Sequence, residues 1–316
     1  MKQRFFDAHC DTISEVLEKG QNLKKNFLHL DLNRLEEYDG YLQVFAAFID
    51  KKNIRTTPQK HCMSLLESLR KELKYNLVTT WEDLKATADS GKIGAILAIE
   101  GGEALTGSLE MLNRYYQMGV RLITLTWNYA NELGEGVLED SGGGLTEFGR
   151  QAVIAMEELG IVIDVSHLSP TGFWDVAKHT KYPFIASHSN VKALCNHPRN
   201  LDNEQIEFLI RRKGCIGINF FPEFLVHERE CDVSDIIQHM EYILSLGGED
   251  CIGFGSDFDG ISSLPKGIAG VQDMREIKRA MKDAGFQDEI IEKICFSNFY
   301  RIFWETLGRR SESFLK

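Results

Sequence analysis

Eight short apolar runs, rich in β-branched and aromatic residues, constrain the fold of this chain more than any other feature. They span residues 4–9, 41–49, 93–99, 121–126, 161–165, 184–187, 215–219 and 251–255. Most are separated by segments with the period of an amphipathic helix, clearest at 63–75, 109–119, 149–159, 202–212 and 235–246. Apolar strands that alternate with helices indicate a parallel sheet covered on both faces. Eight such units predict a closed (β/α)8 TIM barrel.

The domain organisation follows from the same pattern. A chain of 316 residues accommodates one barrel with insertions, so we expect a single domain over 1–316. No glycine-rich phosphate loop follows the first run, which argues against a dinucleotide-binding sheet. Segments 21–40 and 128–144 are predicted to be long βα loops at the mouth of the barrel. The end of the chain, about 289–316, is predicted to be a helical tail that packs on the barrel's exterior.

Side chains that bind metals stand where five of the eight runs end. They are His9, Asp11, Glu100, His167, His188 and Asp257. Taken alone, His9-x-Asp11 also fits a strand that simply ends in polar turn residues. In a barrel, however, the carboxyl ends of all strands meet at one rim. Imidazoles and carboxylates without a thiolate suit a pair of divalent ions such as Zn²⁺.

The other six histidines are predicted to be surface or local structural residues, because they fall in helical segments, loops or polar sequence. They are His29, His61, His179, His197, His227 and His239. The last two follow the seventh run in polar sequence, and we expect them to be exposed.

Two features narrow the type of metal barrel. Many amidohydrolases begin with His-x-His, whereas this chain has His9-x-Asp11. Several binuclear relatives bridge their ions with a lysine at the end of the fourth strand, but here that end reads Leu-Thr-Trp127-Asn128. Glu100 is therefore the evident bridging anion.

The region around Glu100 resembles the signature of the renal (membrane) dipeptidase family of metallopeptidases. The matching residues are Ile99-Glu100-Gly101-Gly102, Leu105, Leu112, Tyr116 and Gly119-Val120-Arg121. Further motifs stand in the family's order, namely His9-x-Asp11, Ser166-His167, Ser187-His188-Ser189, Arg199-Asn200 and Asp257-Phe258-Asp259-Gly260. The resemblance extends from Phe6 to about Gly267, which is most of the chain.

The resemblance implies a zinc-dependent dipeptidase with a binuclear site. It implies that His9 and Asp11 bind one zinc ion, that His167 and His188 bind a second, and that Glu100 bridges the two. A water or hydroxide between the ions would be the nucleophile. The implied substrates are small dipeptides, including those with a D-residue at the C-terminal side.

The resemblance also implies roles for residues around the metals. Asp257 matches an acidic residue beside the bridging water that passes a proton to the leaving amine. Arg199 matches an arginine that holds the substrate's C-terminal carboxylate, which a guanidinium can bind in a bidentate way. Trp127 replaces a histidine of the family's characterised mammalian members, and an indole can donate a hydrogen bond but cannot accept one. We therefore expect Trp127, with Asn131 or Asn128 from the following loop, to contact substrate.

Two other functions remain open on the sequence. The Trp127 replacement is compatible with a binuclear amidohydrolase that acts on another small amide, such as an N-acyl amino acid or a lactam. A barrel that holds zinc structurally, or binds peptides without cleaving them, is the non-enzymatic alternative.

Composition bears on partners and location. The net charge of −11 argues against nucleic acid and anionic membrane surfaces as partners. We find no secretory signal or membrane-spanning run, and the seven cysteines are scattered without C-x-x-C pairs. These features predict a cytoplasmic protein with reduced thiols. The family resemblance implies a homodimer.

Overall fold

The computed structural model describes residues 3–49, 56–73 and 76–313. Eight parallel strands form a closed barrel in chain order, and the first strand pairs with the last. The strands are β1 (Arg4–Asp7), β2 (Gly40–Phe48), β3 (Ile93–Glu100), β4 (Val120–Thr124), β5 (Val162–Asp164), β6 (Ile185–Ala186), β7 (Cys215–Ile218) and β8 (Ile252–Phe254). The (β/α)8 barrel predicted from the eight apolar runs is confirmed.

Helices follow the strands and surround the barrel. They are α1 (Thr12–Glu18), α2 (Leu32–Leu35), α3 (Pro58–Glu72), α4 (Trp81–Ser90), α5 (Leu109–Gln117), α6 (Glu147–Leu159), α7 (Pro170–His179), α8 (Asn203–Arg211), α9 (Pro222–Leu225), α10 (Val233–Ser245), α11 (Met274–Asp283), α12 (Asp288–Glu292) and α13 (Asn298–Ser313). The helix predicted at 63–75 corresponds to α3, and the last two residues of that prediction lie outside the described residues. None of the helices in the described ranges has both the length and the apolar composition to cross a membrane.

Local sequence explains several helix boundaries. Capping boxes start α4 and α8, where Thr80 pairs with Asp83 and Asp202 pairs with Gln205. In each, the cap side chain accepts a backbone N–H that the first helical turn cannot satisfy. Gly160 ends α6 with a φ of 75°, a left-handed conformation that glycine adopts without a steric penalty.

The tail helix closes the N-terminal end of the barrel. The ring of Phe6 in β1 lies 5.7 Å from that of Phe299 and 5.2 Å from that of Phe303. Both tail rings belong to one apolar cluster with Val162 and Cys215, the first residues of β5 and β7. The predicted exterior packing is therefore wrong. The sequence shows an aromatic helix face, but the surface that receives it depends on how the barrel closes.

Glycine at one barrel position makes room for this tail. A Cβ atom built on Gly253 in β8 would lie 2.4 Å from the Phe299 ring. The phenyl ring thus occupies the space that a side chain from β8 would fill. The tail helix therefore fills the interior of the barrel at its N-terminal end.

Two segments, 21–40 and 128–144, were predicted to be βα loops at the C-terminal end of the barrel. Segment 128–144 lies between β4 and α6, as predicted. Segment 21–40 follows α1 rather than β1 and contains the short helix α2, so it is not a simple βα loop. It nevertheless reaches the rim, because the His29 backbone N–H donates to Asp259 Oδ1 at 2.7 Å.

Replacing Phe299 with alanine tests whether the tail helix closes the N-terminal end of the barrel. The ring is 1% exposed, and a cavity of this size should lower the free energy of unfolding by about 3–5 kcal/mol, measured by denaturant titration. Glu305→Ala changes an exposed residue on the same helix and should alter that free energy by less than about 0.5 kcal/mol. Equal effects of the two changes would contradict the proposed packing.

Candidate metal centre

Six ionisable side chains converge at the C-terminal rim of the barrel. They lie at or just after the ends of β1, β3, β5, β6 and β8, as the sequence predicted. They are His9, Asp11, Glu100, His167, His188 and Asp257, and each is at most 8% exposed. Burying this many ionisable groups is costly unless they are paired or bind a cation.

The carboxylate of Glu100 lies between the histidines. Its Oε2 atom is 3.3 Å from His9 Nε2. Its Oε1 atom is 3.0 Å from His167 Nε2 and 3.5 Å from His188 Nε2. The two oxygens therefore face two different groups of possible ligands.

His9 connects Glu100 to the other acidic residues of the cluster. Its Nε2 atom is 3.3 Å from Asp11 Oδ2 and 3.8 Å from Asp257 Oδ1. His9, Glu100 and His188 form one triad, and His9, Asp11 and Asp257 form another. Within each triad the atoms that could bind a cation lie within 4.8 Å of one another.

The nitrogen chemistry of two histidines fits a bound cation. His167 Nε2 and His188 Nε2 are only 2.9 Å apart. The other ring nitrogens face Asn128 Oδ1 and Ser187 Oγ, each at 2.7 Å. If those Nδ1 atoms donate, both Nε2 lone pairs point into the cluster, and a shared positive charge relieves their repulsion.

An unsatisfied atom supports the same conclusion. Asp11 Oδ1 is buried beside the cluster and has no hydrogen-bond partner among the described residues. Orphaned polar atoms are rare in protein interiors. The presence of one beside a cluster of imidazole and carboxylate groups fits a divalent cation, for which this donor set is suitable.

The protonation of the cluster depends on burial and on neighbouring charges. Burial lowers the pKa of His167 to about 3, and the positive charge of Arg199 adds to the shift. Burial raises the pKa of Asp11 to about 8, with the negative charge of Glu100 contributing. Although burial opposes it, the charges of Glu100 and Asp11 raise the pKa of His9 well above its usual value.

Asp257 is held by a residue that the sequence analysis did not single out. Asn219 Nδ2 donates to Asp257 Oδ2 at 2.8 Å. Asn219 is itself fixed by reciprocal backbone contacts with the side chain of Asn190. Its position at the end of the seventh apolar run was the signal that could have identified it. Burial raises the pKa of Asp257, and a φ of 61° aims its side chain from a left-handed backbone.

Arg199 lies buried beside the cluster. It is 5% exposed, its Nη2 donates to the His188 carbonyl at 3.0 Å, and its guanidinium lies 5.5 Å from the centre of the Phe224 ring. Its Nε atom has no hydrogen-bond partner in the described part of the chain. Burial lowers the pKa of Arg199 to about 10, so the group stays charged at neutral pH.

Trp127 lies next to the cluster in an aromatic group. Its ring is 5.3 Å from that of Phe48, 5.7 Å from that of Tyr129 and 6.3 Å from that of His167. The tryptophan is half-buried. It is therefore available to contact a molecule at the mouth of the site.

Asn131 has a different environment from the one predicted. Its Nδ2 donates to Glu103 Oε2 and to the Leu125 carbonyl, and its Oδ1 accepts from the backbone N–H groups of Leu133 and Gly134. These bonds occupy the amide in building the loop after β4. The prediction that Asn131 contacts substrate thus finds no support in the structure.

His239 is buried rather than exposed, so the prediction of its exposure is wrong. It is 1% exposed, its Nδ1 accepts from the Val191 N–H, and its Nε2 donates to the Leu225 carbonyl. The polar sequence around it gave no sign that this histidine, on α10, connects the loop after β6 to the end of α9. Its predicted structural role agrees with these contacts.

Comparison with known proteins places the chain in a family. The family model described as membrane dipeptidase, peptidase family M19, matches residues 1–313. The chain belongs to this family. The resemblance predicted from the motifs around Glu100 is confirmed.

Individual relatives agree with the family model. An uncharacterized protein from the pqqA 5′ region of Klebsiella pneumoniae is 33% identical over 70% of this chain and 84% of its own length. An uncharacterized dipeptidase of Schizosaccharomyces pombe is 31% identical over 88% of this chain and 72% of its own. The crystal structure of a metallopeptidase from Rhodobacter sphaeroides, liganded with a phosphinate mimic of L-Ala-D-Ala, superposes with a TM-score of 0.90 at 26% identity, covering 97% of this chain and 100% of that one.

The family and the cluster together give the class of reaction. The protein is a metal-dependent hydrolase that acts on dipeptides. The activity predicted from the sequence is confirmed at this level.

The protonation state of the cluster predicts how zinc binding responds to pH. With a pKa of about 8 for Asp11 and a raised pKa for His9, the metal-free site holds protons at pH 7 that a cation must displace. Zinc affinity should therefore rise between pH 6 and pH 8, with release of at least about one proton per chain at pH 7. Calorimetry in buffers of different ionisation enthalpy measures both quantities, and an affinity independent of pH would contradict the expectation.

Proposed function

We propose that this protein hydrolyses the peptide bond of small dipeptides at a binuclear zinc site. His9 and Asp11 would hold one ion, His167 and His188 the other, and Glu100 both. The observation that supports this assignment is the placement of the two Glu100 oxygens, each within 3.5 Å of a histidine nitrogen on its own side. When bound, two such ions lower the pKa of a water towards neutrality and polarise the substrate carbonyl.

Asp257 is the residue proposed to move the proton. Its Oδ2 atom is occupied by Asn219, whereas its Oδ1 atom faces the cluster at 3.8 Å from His9 Nε2. Burial raises its pKa, which makes the carboxylate a better proton acceptor than an exposed aspartate. It would take a proton from the attacking water and deliver it to the leaving amine.

Arg199 is proposed to bind the substrate's free carboxylate. Its buried Nε atom lacks a partner in the described structure, and its Nη2 is fixed on the His188 carbonyl. A desolvated guanidinium attracts a carboxylate more strongly than an exposed one does. This contact would favour substrates whose free carboxylate belongs to the residue directly after the scissile bond. That preference distinguishes a dipeptidase from a peptidase that cleaves longer chains.

The stereochemistry of the substrate is also open to proposal. The relative from Rhodobacter sphaeroides was crystallised with a mimic of L-Ala-D-Ala. By similarity, we expect dipeptides with a D-residue at the C-terminal side to be among the substrates.

Trp127 supports a second candidate within the same reaction class. The indole and its neighbours Phe48 and Tyr129 form an apolar surface beside His167. Such a surface suits an acyl group as well as an amino acid side chain. An N-acyl amino acid, or a lactam that carries a carboxylate, would place its amide at the metals and its carboxylate at Arg199.

The cysteines support the proposed cytoplasmic location. All seven are free and buried. Unpaired thiols are typical of proteins kept in a reducing compartment.

A dipeptide panel tests the function directly. Zinc-loaded protein should release two amino acids from at least some L,L- and L,D-dipeptides, and a chelator should abolish the release. N-acetylated analogues and lactams, assayed in parallel, test the second candidate. Failure to cleave any dipeptide in the zinc-loaded state would refute the first.

Changing Asp257 to asparagine should remove the proton transfer and leave the shape of the site. We expect kcat to fall by roughly 10²–10⁴-fold. Zinc content, measured by elemental analysis, should remain at the wild-type value and serves as the control. An unchanged kcat would show that another group transfers the proton.

Changing Arg199 to methionine should weaken recognition of the free carboxylate. Loss of a buried charge-assisted contact should remove about 2–5 kcal/mol of transition-state stabilisation. The value of kcat/KM for dipeptides should therefore fall roughly 30- to 5,000-fold. Dipeptide amides lack the carboxylate, so the variant and the wild type should cleave them at similar rates. An equal loss on both kinds of substrate would argue against the assigned role.

A further inference from the structure

Asp164, at the end of β5, accepts four hydrogen bonds and is completely buried. Its Oδ1 accepts from the backbone N–H groups of Ser166 and Ser187, at 3.0 and 2.8 Å. Its Oδ2 accepts from the hydroxyls of Ser187 and Thr124, at 2.6 and 2.5 Å. The carboxylate thus acts as an acceptor on every side and joins three neighbouring strands.

The Ser187 hydroxyl lies between Asp164 and the ring of His188. A hydroxyl has one proton, and here it is donated to Asp164. Towards His188 Nδ1, 2.7 Å away, Ser187 Oγ can therefore only accept. The proton of the imidazole lies on Nδ1, and its Nε2 lone pair points at the cluster, 3.5 Å from Glu100 Oε1.

We propose that Asp164 is a positioning residue for the metal site, acting through Ser187 to hold His188 in its metal-binding tautomer. The inference rests on the proposed function, because it assigns His188 as a ligand. A hydrogen bond from the far nitrogen of a ligating histidine fixes the ring and makes the near nitrogen a stronger donor. Neither Asp164 nor Ser187 needs to contact substrate for this effect.

A second buried aspartate provides a comparison for the hydrogen bonds that join Asp164, Ser187 and His188. Asp7, at the end of β1, accepts from the Ser256 N–H at 2.9 Å and from the Ser256 hydroxyl at 2.5 Å. It joins β1 to the end of β8 as Asp164 joins β5 to β6. The Ser256 hydroxyl, however, contacts the backbone carbonyl of His9 and not its ring. His9 Nδ1 is left without a partner in the described residues.

The test measures zinc binding at buffered free zinc for the wild type, Ser187→Ala and the matched control Ser256→Ala. We expect two ions per chain in the wild type. In Ser187→Ala, one of the two sites should bind zinc about 10- to 100-fold more weakly. Ser256→Ala removes an equivalent hydrogen bond to a buried aspartate, but both of its affinities should stay within about threefold of wild type, since no imidazole loses a partner.

A double-mutant cycle tests whether Asp164 acts through Ser187. In Asp164→Asn the amide NH₂ would donate to Ser187, turn its proton towards His188 Nδ1 and favour the tautomer that blocks Nε2. This variant should lose more zinc affinity than Ser187→Ala, whereas adding Asp164→Asn to Ser187→Ala should cost little more. Unfolding of each metal-free variant, followed by circular dichroism, confirms that the fold is retained. Should Asp164→Asn fail to fold, the comparison of Ser187→Ala with Ser256→Ala still decides.

The outcomes separate this inference from the function on which it rests. Wild-type protein that binds no zinc would overturn the proposed function. Wild-type protein that binds two ions, with Ser187→Ala binding both equally well, would overturn only the role of Asp164. Equal losses in Ser187→Ala and Ser256→Ala would also overturn it, because the effect would then be a general loosening of the barrel rim.

Discussion

The contact of one carboxylate with three imidazoles determines much else in this molecule. Glu100 ends β3 with its two oxygens near nitrogens from three other strand ends. An anion at this position compensates for burying the histidines, and the histidines in turn lower the pKa of Glu100 against the effect of its burial. Removing any one of these groups would leave buried, uncompensated charge or lone pairs on the others.

The barrel keeps these groups in register by means of buried acceptors. Asp7 ends β1 and Asp164 ends β5, on opposite sides of the closed barrel. Each accepts a hydrogen bond from the serine, Ser256 or Ser187, that precedes a site residue after a neighbouring strand. The first connects the strand of His9 to that of Asp257. Because the backbone N–H of each serine donates to the aspartate, the ends of the two strands are held in register. The ligand cluster therefore inherits the rigidity of the barrel rather than that of its loops.

Most of this arrangement was predictable because a barrel converts sequence position into spatial position. A polar residue at the end of an apolar run must lie at the rim, so the sequence alone predicts the rim positions of Glu100 and His188. Side-chain environments inside loops could not be derived in the same way. The amide of Asn131 bonds within its own loop, and His239 is buried against the loop after β6 and the end of α9. Both outcomes depend on the path of the chain, which local sequence does not determine.

The tail presented a related difficulty. Its aromatic face was evident, but Gly253 is informative only once the strands are closed and Phe299 is seen to fill the space beside it. A glycine within an apolar run permits the close approach of many different side chains, and the local sequence does not show which of them will pack against it. Long-range complementarity of this kind is specified by the whole fold.

The position of the tail also has a consequence for biosynthesis. Phe6 lies in the first strand and Phe303 in the last helix, so nearly the whole barrel is synthesised between these two stacked rings. The base of the barrel interior therefore has no cover until the tail helix has been synthesised. Completion of the core depends on contacts between residues far apart in the sequence, which form slowly. A nascent chain of this type depends on rapid closure, or on a chaperone that shields the open base, to avoid aggregation.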